Sequence, residues 1–164
     1  MLILIVSAAT LLLSMLVSVW LSSFHNLRFP SLGAIIVTGV EAHGGNITVT
    51  QNGKQFIEWG TVYPGSFTNR SFYIKSISNI PVKLNLTISN ITFQNSTNQN
   101  VTDPSIENSS PLTLTWNYDN TPLNPKAEIY VTLTLHVSDD PSFINFLIGY
   151  CVTGFSFDMV IKAI

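Results

Sequence analysis

Seven asparagines in this 164-residue chain stand two positions before a serine or threonine with no proline between: Asn46, Asn69, Asn85, Asn90, Asn95, Asn100 and Asn108. That spacing permits N-glycosylation, in which the asparagine amide nitrogen is bonded to a sugar. With 15 Asn and 34 Ser plus Thr, chance placement gives about 3 such sites. Five of the seven crowd into "NLTISNITFQNSTNQNVTDPSIENSS", Asn85 to Ser110. An Asn- and Thr-rich composition would match some of them by accident. A sugar-coated surface on an exported protein accounts for the cluster, so N-linked glycans are the expected attachment, and no other cofactor is expected.

The remaining reactive side chains point away from catalysis. His25, His43 and His136 are far apart and no H-E-x-x-H occurs, which leaves no zinc-ligand spacing. Cys151, the single cysteine, follows an apolar run and reads as a core thiol. Asp139 and Asp140 offer two carboxylates to calcium, but adjacent acids before Pro141 read more naturally as a turn and helix cap. Glu58 beside Trp59 reads as structural, and no phosphate-binding glycine loop is present. The expectation is a protein that is not an enzyme and holds no metal.

Composition bounds the partners. Charged residues make up 10% of the chain and the net charge is −2, against about 25% charged in an ordinary soluble domain. Such a surface needs sugars or neighbouring subunits to stay in solution. Without a Lys/Arg cluster to displace counterions, nucleic acid is excluded as a partner.

These residues must be positioned by two kinds of element. "MLILIVSAATLLLSMLVSVWL" has 17 apolar residues in 21 and no charge before Arg28. As a helix it would run about 31 Å, enough to cross a bilayer core. Its polar residues Ser7, Thr10, Ser14 and Ser18 fall within about 80° on that helix, a stripe of small side chains suited to close packing against copies of itself. Residues 1–24 are therefore expected to form a filament core or membrane anchor, with 25–32 as linker and 33–164 as the β-domain.

Past Pro30 the period becomes two. "PVKLNLTIS" sets Val82, Leu84, Leu86 and Ile88 against Lys83, Asn85, Thr87 and Ser89. "LTLTWNY", "EIYVTLTLHVS" and "GFSFDMVIKAI" alternate in the same way, with weaker candidates at 34–40, 46–51 and 71–76. Half-buried antiparallel strands follow. The predicted fold is mainly β, an Ig-like antiparallel sandwich of about seven strands preceded by one long N-terminal hydrophobic helix. The stretch from Asn90 to Asn108 reads as a long polar connection. "SDDPSFINFLIGYCV" departs from the pattern and reads either as a helical turn capping the sandwich or as an exposed contact surface.

"EWGTVYPGSFTNRSFYIKSISNIPVKLNLTIS", "LTLTWNYDNTPLNP" and "VTLTLHVS" resemble archaeal exported β-sandwich proteins with a W-G-x-x-x-P-G-S turn and an N-x-P-V hairpin. Over residues 33–138 the pattern is broadly similar to camelysin/TasA-type sandwiches, which polymerise into extracellular fibres. An apolar helix joined directly to such a domain resembles an archaeal type IV pilin, whose basic leader would lie upstream of residue 1. The resemblance implies a structural subunit of an extracellular filament, with helices bundled inside and glycosylated sandwiches outside, serving adhesion. Its partners would be copies of itself, and the cell membrane before assembly. The other readings are a membrane-anchored Ig-like binding module and a fibre joined by exchange of an N-terminal strand.

Overall fold

Wherever apolar and polar side chains alternate the chain is extended, and ten strands result within residues 29–103, 106 and 110–164, which the computed structural model describes. They are β1 (Phe29–Thr38), β2 (Val40–His43), β3 (Ile47–Val49), β4 (Gln55–Val62), β5 (Phe67–Ser76), β6 (Leu84–Asn95), β7 (Asn100–Val101), β8 (Leu112–Trp116), β9 (Glu128–Val137) and β10 (Val152–Ala163). A helix, α1 (Pro141–Gly149), precedes β10. The strands form a six-stranded sheet in the order β3-β4-β1-β10-β6-β7 and a four-stranded sheet in the order β2-β5-β9-β8. Side chains from both sheets make one core, including Trp59, Phe157 and Met159 from the first and Phe72, Leu133 and Leu135 from the second. Burying each of these contributes about 1.5–3 kcal/mol relative to exposure.

Several expectations are corrected. The described residues form ten strands where about seven were expected, and the sheets are not wholly antiparallel. β1 runs parallel to β10, in register from Ser31 opposite Phe155 to Thr38 opposite Lys162. Among the described residues no helix is long and apolar enough to cross a membrane. The expected helix at residues 1–24 lies outside the described residues, and β1 already begins at Phe29, inside the stretch read as a linker. The polar connection from Asn90 is shorter than expected, because β6 continues to Asn95 and β7 pairs back on it.

The six-stranded sheet is built on register shifts. Ser31 pairs with Gly60 but Leu32 with Glu58, so Trp59 is the extra residue of a bulge, next to Gly60 at φ +76°. A glycine accepts this left-handed backbone at no steric cost. Trp59 is thereby turned into the core, where it packs beside Gly33. A Cβ on Gly33 would stand 2.9 Å from the Trp59 indole nitrogen, so only glycine fits there.

Arg70, on β5, reaches across to this bulge. Its Nε donates to the Glu58 carbonyl and one terminal nitrogen to the Trp59 carbonyl, both at 2.7 Å. The guanidinium thus gives the two carbonyls at the bulge a charged donor. The four-stranded sheet has no such interruption: β5 and β9 pair through nine successive residues without a shift.

α1 closes one end of the sandwich with Phe143, Phe146 and Leu147 buried. Phe93 meets the rings of Phe143 and Phe146 at 5.6 and 5.3 Å. Asp140 is its N-cap, accepting the Ser142 amide N–H, and Pro141 follows in the first turn, as the helix-start signal predicts.

Candidate glycan-acceptor surface

The strands carry the asparagines outward. Asn85 sits on β6 between Leu84 and Leu86 with its side chain exposed, opposite Lys162 of β10. Asn90 marks a second bulge, where the β6–β10 pairing shifts between Ser156 and Asp158. It adopts φ +52° and its Nδ2 donates to Asp158 Oδ2 at 2.7 Å. Asn95 ends β6, and its Oδ1 accepts the amide N–H groups of Thr97 and Gln99, both at 3.0 Å, and the Thr97 hydroxyl. That is an Asx turn shaping the connection to β7. Asn100 is exposed on β7, its Oδ1 near Gln94 Nε2 at 3.5 Å.

Asn46 lies in the turn between β2 and β3 and exchanges bonds with Ser71, its Oδ1 accepting the Ser71 N–H at 2.9 Å. Asn69 is exposed on the outward face of β5, and its Oδ1 accepts the Thr134 hydroxyl at 2.9 Å. Asn108 and the stripe Ser7, Thr10, Ser14 and Ser18 lie outside the described residues.

These bonds distinguish sites that look alike in the sequence. Glycosylation substitutes Nδ2 and leaves Oδ1 intact. At Asn46, Asn69 and Asn95 the structural work falls on Oδ1, which a sugar does not touch. At Asn90 it falls on Nδ2, so a sugar there competes with the bond to Asp158.

The outward faces of the two sheets differ in chemistry. On the six-stranded sheet, Leu32 and Ile36 of β1 are 48% and 47% exposed beside half-buried Phe56 and Val160. A groove of about 440 Å³ opens there, bounded by Leu32, Phe56, Lys54, Asn90 and Asp158. On the four-stranded sheet, hydroxyls and amides (Asn69, Ser71, Thr132, Thr134) separate two aromatic groups. At one end Phe67 stacks on His136 with ring centroids 4.4 Å apart. At the other, Tyr73 meets Tyr130 at 4.9 Å and His43 at 5.7 Å, and His43 Nε2 lies 2.8 Å from Glu128 Oε2. A strand read only from Ser71 leaves out Phe67, while Tyr73 and Tyr130 fall within predicted strands without standing out there. The alternation of Phe67, Asn69, Ser71 and Tyr73 was the signal available for it.

The other reactive groups are scattered. Cys151 is exposed, with φ +50°, not the core thiol expected: the turn from α1 into β10 swings it outward while Val152 takes the buried place. Asp140 is held below its ordinary carboxyl value first by the Ser142 hydroxyl and then by the Ser142 N–H, so its role is the cap. Asp119 is lowered similarly, chiefly by the Thr121 N–H. The charge of Asp103 pushes the Tyr150 phenol up. Among the described residues no three His, Cys, Asp or Glu side chains are gathered to hold a metal ion. His25 lies outside them.

No protein-family model matches the chain, and no curated protein does. Among solved structures it is similar to the ASH / PapD-like domain of human CEP192 (PapD-like domain 7), at 9% identity and a TM-score of 0.35, over 77% of this chain and 84% of that one. The resemblance to type IV pilins and camelysin/TasA-type sandwiches is corrected by the elements of the described residues themselves. The described residues form a mainly β chain with a nine-residue helix near its C-terminal side, and no helix among them is long and apolar enough to cross a membrane.

Proposed function

We propose that this chain is a glycosylated structural module of the cell exterior, held there by the apolar segment at residues 1–24 and without catalytic chemistry of its own. The observation that supports it is the placement of the sequons. All six within the described residues are exposed or half-exposed, and they occupy both outward faces and the loops, while apolar side chains fill the interior. A bulky hydrated glycan cannot lie in a packed contact. Sugars on both faces would keep neighbouring sandwiches from stacking face to face, which leaves association to the N-terminal segment and the strand edges.

Glycopeptide mass spectrometry of the full chain from its native envelope tests the sugar, with most sequons expected to be occupied. Fractionation tests the tether: the full chain goes with membranes or with filaments, and residues 29–164 stay in solution. Filaments visible by electron microscopy would mean many copies joined, and membrane-bound single copies would mean display. Bare asparagines throughout, with a full chain that remains soluble, overturn the proposal.

A further inference from the structure

We infer that Asn69 carries a sugar whose ring lies over the exposed face of Phe67, so that this one modification stabilises the four-stranded sheet. The inference rests on the glycosylated reading above and adds to it a particular site and a particular protein surface.

Phe67 is 69% exposed, the barest aromatic ring among the described residues. One side is backed by His136, at 4.4 Å between centroids and 25° between planes. Leaving the other side in water is unfavourable. The tyrosines at the far end of the same face cover one another, at 4.9 Å between Tyr73 and Tyr130. Phe67 has cover on one side only.

The sequence Phe67-Thr68-Asn69-Arg70-Ser71 supplies that cover. Residues 67 and 69 of β5 share an outward face, with Cα atoms about 7 Å apart along the strand. A pyranose attached at Asn69 spans such a gap, and its axial C–H groups meet the electron-rich face of the phenyl ring. The acceptor amide is already held: Thr134 donates to Asn69 Oδ1 at 2.9 Å, which turns Nδ2 away from β9 and leaves it on the open side of the strand. β2 pairs with β5 only from Tyr73 to Ser76, so among the described residues no strand flanks β5 at Asn69 on that side.

The attachment uses a lipid-linked pyrophosphate sugar as donor and an oligosaccharide transferase as catalyst. Nδ2 attacks C1 of the sugar, the N–C1 bond forms and the C1–O bond to pyrophosphate breaks. The lipid pyrophosphate leaves with that electron pair, and Nδ2 gives up one proton to a base of the transferase.

The test compares the full chain made in a glycosylating host with the same chain made in a host that adds no sugar, each as wild type, Phe67→Ala and Phe67→Leu. Glycopeptide mass spectrometry should find Asn69 occupied. The glycosylated wild type should gain about 2–4 °C more in Tm over its unglycosylated form than either Phe67 variant gains over its own. Phe67→Leu keeps apolar bulk without a ring face and covers the case where Phe67→Ala folds poorly. Equal gains in all three chains overturn the contact. Asn69 bare while other sequons are occupied overturns the site but spares the glycosylated reading. All sequons bare overturns both.

Discussion

The two sheets of this sandwich solve the same packing problem differently. The four-stranded sheet is an unbroken ladder, its long β5–β9 pair running nine residues in one register. The six-stranded sheet contains three register shifts, a parallel pair and left-handed residues at Gly60 and Asn90. In the ladder, stability is spread over many equivalent cross-strand pairs. In the bulged sheet it is concentrated in a few side chains that satisfy or permit the shifts.

Substitutions at Arg70, Gly60 and Asn90, a double-mutant cycle and a titration test this contrast. The largest effect is expected from Arg70→Ala, which leaves the Glu58 and Trp59 carbonyls without their charged donor. A loss of about 3 kcal/mol in chemical denaturation is expected, with Arg70→Lys recovering only part because it lacks the fork. Gly60→Val forces a β-branched residue to φ +76° and should cost about 2 kcal/mol in the same assay.

Asn90 comes next. Asn90→Ala loses both the Asp158 bond and a residue tolerant of φ +52°, for about 1 kcal/mol, while Asn90→Gly should be milder because it keeps the backbone freedom. On the ladder side, a double-mutant cycle at Tyr73 and Tyr130 should give a coupling of only about 0.5–1 kcal/mol. Coupling of several kcal/mol there, or no loss at Arg70, would erase the contrast.

The smallest effect concerns acid. The Asp140 carboxyl is lowered from 3.8 by its bonds to Ser142. Its contribution is therefore present above the unfolded value and lost as pH falls through the lower folded value. The protection of α1 amides against exchange, relative to their intrinsic rates at each pH, should fall on that descent, and Asp140→Asn, which still caps, should remove that pH dependence.

The same contrast decided what could be read in advance. β8, β9 and β10 were legible because Leu112–Leu114, Ile129–Val137 and Phe155–Ile161 keep one phase of alternation. β6 was legible only to Ile88, since the bulge at Asn90 shifts the buried places from even positions (Leu84, Leu86) to odd ones (Ile91, Phe93). Beyond that point the pattern looks like polar loop. β4 hides for the same reason, with Ile57 and Trp59 buried on one phase and Val62 on the other. Of the candidate acceptor surface, every described asparagine could be found from its spacing, and the outward position of Asn85 followed from alternation. The bonds that separate Asn90 from Asn46, Asn69 and Asn95 could not, because Asp158, Ser71 and Thr134 are brought to them only by the fold.

The parallel pairing of β1 with β10 also fixes how the module answers tension. Phe29 and Ala163 lie at opposite ends of the joined strands, so a load entering at one and leaving at the other slides the strands lengthwise. All eight registered pairs from Ser31 to Thr38 then resist together, instead of opening one after another like a zipper. In single-molecule pulling, rupture along this axis should need a higher force than when the load is applied between Ala163 and Leu84, the adjoining ends of the antiparallel β10–β6 pair. A load applied between Phe29 and Ala163 therefore pulls along the shearing direction of this parallel pair.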